Sequence, residues 1–125
     1  MGQDQVKTSG PSDAPAPIAV QPEDWVVTRT RQATTLLNEA GIWNILLAGS
    51  DASGCLLTTD GGLLHMAPLG YRIIVPEDCA VSVEFPDTEE TQGTRWAMLR
   101  SMQLAGHCYL STGTEIINAI NSSTE

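Results

Sequence analysis

The stretch Cys55-Leu56-Leu57-Thr58-Thr59-Asp60-Gly61-Gly62-Leu63-Leu64-His65-Met66 decides how the whole chain is read. Two short apolar runs flank Asp60-Gly61-Gly62, and an Asp-Gly pair supplies the positive φ angles of a tight hairpin turn. The predicted unit is therefore a pair of antiparallel strands. Just downstream, residues 71–75 and 80–85 flank Pro76-Glu77-Asp78 and predict a second strand–turn–strand unit. Alternation in its second arm puts Val81, Val83 and Phe85 on one inward face, so Val83→Asp is expected to bury an unpaired charge.

Working outward, residues 25–37 are dense in β-branched side chains and read as one long strand or two short ones. A helix over Arg31 to Ala40, stopped by Gly41, is the competing reading. Asn38 to Gly41 then forms a turn, and Ile42 to Leu47 a further strand. Residues 86–93 are polar and acidic and read as an exposed loop. Trp96 to Leu104 fits either period, with strand favoured by its surroundings. Residues 107–110 and 114–120 complete the set, with Gly113 as a turn residue between them. Many short strands with Gly and Pro turns and no long helix predict an all-β fold, an antiparallel β-sandwich or barrel of jelly-roll-like topology. Residues 1–24, with Pro11, Pro15, Pro17 and Pro22 among polar residues, are expected to form a flexible or extended N-terminal arm. Residues 25–125 form the single β domain.

Charge narrows the functional classes. Six basic residues against 15 acidic give a net charge of −9, and Lys7 is the sole lysine. Binding to phosphate backbones or anionic membranes needs clustered Lys and Arg, so neither nucleic acid nor membrane is an expected partner. The longest apolar run, near Ile42 to Ala48, is too short to span a bilayer, and the N-terminus lacks a signal-peptide pattern. Starting at Met1, the chain reads as a complete cytosolic product. Cys55, Cys79 and Cys108, odd in number and widely spaced, are expected to be reduced, buried thiols.

Motifs for chemistry are sparse. His65 and His107 are the only histidines, and neither stands in the His-x-His pattern that a cupin-like metal site requires. Close-spaced Cys or His pairs of zinc sites are likewise missing, so neither metal nor cofactor is expected. His107 and Cys108 point to opposite faces of a strand and cannot form a dyad together. Cys55 or Cys108 against the more distant histidine is the remaining nucleophile–base pairing, weighed against a core thiol. Asp87, Glu89 and Glu90 read as solvated, and Asp51 beside Ser50 and Ser53 as ordinary loop chemistry. No catalytic residue is expected. Trp25, where arm meets body, together with Val27, Pro15 and Pro17, forms the expected partner interface.

A compact β body of low charge density, a Pro-rich arm and no active site together resemble the small accessory proteins of phage virions, the capsid decoration or cement type. That resemblance implies a non-enzymatic structural protein that forms homo-oligomers, trimers among them, and seats on a larger shell that it stabilises. The alternative is a carbohydrate- or receptor-binding β-sandwich module.

Overall fold

The computed structural model describes residues 19–123. The crossover between strands decides the architecture, and it runs through the stretch read above as a hairpin. Residues 44–46 form strand β1 and residues 72–76 strand β3, and they pair in parallel with Ile45 opposite Ile73. Parallel neighbours need a crossover of a dozen or more residues, and the segment from Leu47 to Tyr71 supplies it. Its elements are the two-residue strand β2 (Gly49–Ser50), helix α2 (Cys55–Thr58), helix α3 (Leu63–Met66) and a 3₁₀ turn over Ala67–Leu69.

The predicted hairpin is thus overturned. Asp60-Gly61-Gly62 joins two short helices, and the apolar runs on either side bury Leu56, Leu57, Leu63 and Met66 together in the core. Runs of four apolar residues carry no period of their own, so the turn signal alone misassigned them. Gly61 has φ +76°, as a turn requires, but the demand on Gly62 is different. A Cβ there would stand 2.8 Å from the Thr59 carbonyl oxygen and 2.9 Å from that of Leu56, so α3 can start this close to the end of α2 only without a side chain.

After β3, a 3₁₀ turn (Glu77–Cys79) leads into β4 (Ala80–Val81), which pairs in parallel with β2. Helix α4 (Gly93–Leu104), strand β5 (Tyr109–Ser111) and helix α5 (Gly113–Ser123) follow. The main sheet has the order β1-β3-β5, all parallel, and a two-stranded parallel sheet β2-β4 continues past its carboxyl end. The fold is mixed α/β, with neither an antiparallel sandwich nor a barrel.

Three more of the expected strands are helices. Residues 30–40 form α1. The Gln32 side chain accepts the amides of Thr28 and Arg29 at its start, and Gly41 ends it at φ +70°. Ala33 and Leu37, one turn apart, pack against the core. Residues 96–104 belong to α4, which sets Leu99 into the core and packs Met98 and Met102 beside it. Its first amides, those of Thr94 and Arg95, donate to the Glu84 carboxylate at 2.8 and 3.0 Å, a cap drawn from ten residues upstream that no local pattern announces. Residues 114–120 lie in α5, where Thr112 and Glu115 cap each other and the Asp78 carboxylate accepts the Gly113 amide at 2.8 Å.

Val81, Val83 and Phe85, expected in the core, are 57%, 70% and 65% exposed. Only Ala80 and Val81 of that run are strand, and β4 ends before an alternating face can form. The core gathers instead around Ile73 and Val75 of β3, with Leu57, Leu63, Leu99 and Cys108 packed about them.

Candidate functional site at the carboxyl end of the sheet

In open parallel α/β sheets the strands end in loops that converge at one edge, and ligands bind there. Here β1 runs out at Leu46, β2 follows, and residues 51–54 turn sharply into α2, whose first residue is Cys55. The turn is built on Asp51. Its Oδ1 accepts the Ser53 amide at 3.1 Å, the Ser53 hydroxyl at 2.9 Å and the Val83 amide at 3.0 Å. Its main-chain oxygen accepts the amides of Gly54 and Leu56, and the Ala52 amide reaches the Val81 carbonyl at 2.7 Å. Ser82 Oγ donates to Ser53 Oγ, so the turn is stitched along the whole segment that follows β4. The peptide between Ser50 and Asp51 is cis. Hydrogen bonds from the Ser53 amide, then the Val83 amide and the Ser53 hydroxyl, hold the Asp51 carboxyl below its ordinary range.

The thiol that this turn presents is exposed. It lines a concavity of about 190 Å³ with Leu47, Ser50, Thr59, Asp60 and Gly61. The Cys55 carbonyl is taken by Thr59, whose hydroxyl donates to it at 2.6 Å, while among the described residues no acceptor faces the Cys55 amide N–H. The Cys55 thiol thus stands at the first position of a four-residue helix, after a turn of small residues, beside a main-chain N–H that has no acceptor among the described residues.

The other candidates separate cleanly. Cys79 is also exposed, but its sulfur lies 3.8 Å from the Asp78 carboxylate. Cys108 is buried, and burial pushes its thiol up, so it stays protonated in the core. The expectation of three buried thiols therefore holds for Cys108 alone. His65 does not partner Cys55, because its Nε2 sits 3.0 Å from the Thr58 carbonyl. His107 follows α4 and lies before β5, at the opposite end of the strands. Asp60 accepts from the Thr30 hydroxyl and is committed to α1. Asp87, Glu89 and Glu90 are exposed, and among the described residues no three metal-binding side chains cluster.

Trp25 and Val27 of the expected interface are 52% and 36% exposed, while Pro15 and Pro17 lie outside the described residues. Among the described residues no helix is long and apolar enough to cross a membrane. Comparison with protein-family models, with curated proteins and with solved structures finds no match to this chain.

Sequence reasoning considered Cys55 as a nucleophile only in a pairing with a histidine, and weighed it against a core thiol. The signal was local: Gly49-Ser50-Asp51-Ala52-Ser53-Gly54, six small or turn-forming residues, links the apolar run ending at Leu47 to Cys55 and two leucines.

Proposed function

We infer that this chain carries a cysteine-nucleophile site that transfers the acyl group of a small ester or amide to water. The observation that carries this reading is the placement of the Cys55 thiol, at the first position of α2, over a concavity at the carboxyl end of a parallel sheet. In the reaction, Cys55 Sγ attacks the carbonyl carbon and the carbonyl oxygen takes up negative charge facing the Cys55 amide N–H. The tetrahedral intermediate collapses with loss of the alcohol or amine, which leaves with a proton, and a thioester remains on Cys55. Water then cleaves the thioester, releasing the acid and restoring the thiol.

A proton acceptor for the thiol is not adjacent to it among the described residues. The order β1-β3-β5 proceeds in one direction, so the strand-order reversal at which such sheets bind ligands falls beyond the free edge of β1. β1 leads straight to Cys55.

The resemblance to capsid decoration proteins drew on a β body, which the α/β sheet replaces, and also on a Pro-rich arm, most of which lies outside the described residues. The test is the release of p-nitrophenolate when the full chain meets excess p-nitrophenyl acetate. A burst of about one equivalent is expected, abolished by Cys55→Ala and kept by Cys79→Ala. A burst that survives Cys55→Ala overturns the reading.

A further inference from the structure

Away from Cys55, two cavities share Arg72 and Tyr109 on one face of the sheet. The first, about 440 Å³, lies at the amino ends of β3 and β5 and is lined by Tyr71, Arg72, Gln103, Gly106 and His107 among others. The second, about 600 Å³, continues beneath α5 along Ile74, Leu110, Ile116 and Ala119. Together they make one groove with a polar end and an apolar end.

The polar end is unusual for so acidic a chain. Arg72, Gln103 and His107 can each donate hydrogen bonds, and among the described residues none of their side chains has a partner. Continuing the β3–β5 register back two residues from the Ile74–Tyr109 pair sets Arg72 beside His107, so two of these donors stand on adjacent chain segments. Cys108, next to them, is kept a neutral thiol by burial and adds no negative charge. The one carboxylate in the groove, Glu115, stands at the other end and accepts from the Thr112 hydroxyl at 3.1 Å. Charge therefore orients any bound anion toward Arg72. The apolar end is equally unfilled, because α5 fully buries none of its residues.

We propose that this groove binds a small amphipathic carboxylate, its anionic head at Arg72, Gln103 and His107 and its hydrocarbon body under α5. Guanidinium pairs with carboxylate through parallel N–H donors, and the apolar wall removes the tail from water. The site is separate from Cys55 and stands or falls independently of the acyl-transfer reading.

The test is an NMR titration of the full chain with sodium octanoate below its micelle concentration, with sodium acetate and octan-1-ol as the head-only and tail-only probes. Saturable shifts of the Gly70, Gly106 and Ile116 amides are expected with octanoate. Acetate and octanol should each bind at least about tenfold more weakly, and Arg72→Gln, an exposed change, should weaken octanoate by a similar factor. Absence of saturable shifts, octanol binding as tightly as octanoate, or unchanged affinity in Arg72→Gln overturns the proposal.

Discussion

β3 and β1 lie side by side in one parallel sheet, yet β3 buries Ile73 and Val75 at 1% and 0% exposure while β1 leaves Leu46 51% exposed. Each strand is followed by an exposed thiol, Cys79 after β3 and Cys55 after β1, and these differ as much as the strands do. Cys79 sits in a 3₁₀ turn beside a carboxylate that is already holding the start of α5. Cys55 opens a helix over a concavity, on a turn stitched to Val81, Ser82 and Val83 of a later segment of chain. The central strand is where the core gathers, and the edge strand is where side chains reach solvent.

Several substitutions sharpen or break this contrast. The largest effect is expected in the central strand: Ile73→Ala leaves a cavity where no side chain can collapse inward, and chemical denaturation should show a loss of about 2–5 kcal/mol. A loss under about 1 kcal/mol would mean that β3 is not the centre of the core.

Gly62→Ala comes next. The added methyl meets three carbonyl oxygens, those of Thr59, Leu56 and Leu57, at 2.8–3.1 Å, so α2 and α3 must move apart. A loss of about 1–3 kcal/mol is expected, with Cys55 labelling altered because α2 carries it. Gly61→Ala, in open space, should act only through its positive φ and cost less.

Acid probes the Asp51 turn. The folded carboxyl titrates below its ordinary range, so its contribution is present above the unfolded value and is lost as pH falls through the folded one. Thermal melts of the chain should therefore drop on the acid side, and Asp51→Asn should flatten that drop. Glu84 behaves alike: partial desolvation works to raise its carboxyl, but the amides of Thr94 and Arg95 outweigh it and hold it low. An acid limb unchanged in the Asp51→Asn, Glu84→Gln double variant would show that these turns do not couple to stability.

The smallest effects belong to the edge. Leu46→Ala and Val83→Asp change exposed side chains and should each move stability by no more than about 0.5 kcal/mol. A large loss in Val83→Asp would return that residue to the core from which the structure removed it.

How much of this could be read from the chain depends on range. The strands expected at Ile42–Leu47 and Tyr71–Val75 were legible, because short apolar runs bounded by Gly or Pro report a strand directly. Their parallel pairing was not, since direction is set by the crossover, and the crossover hid behind Asp60-Gly61-Gly62. The helix α1 was visible as an alternative through Gly41. Helices α4 and α5 were obscured because carboxylates of Glu84 and Asp78, distant in sequence, reach their first amides. Cys55 itself was in view as a candidate thiol, but the turn that leads into it is closed by the Asp51–Val83 bond across 32 residues, which no local pattern contains.

The most direct test lets the two exposed thiols compete within one molecule. The reduced chain is treated briefly with a limiting amount of p-nitrophenyl acetate, digested at low pH, and the acetyl group located by mass spectrometry. Acetyl is expected on Cys55 in at least about tenfold excess over Cys79, as fits a thiol with a donor placed for the oxyanion against one with a carboxylate beside it. Equal acetylation of the two, or preference for Cys79, would contradict the assignment of Cys55 as the nucleophile.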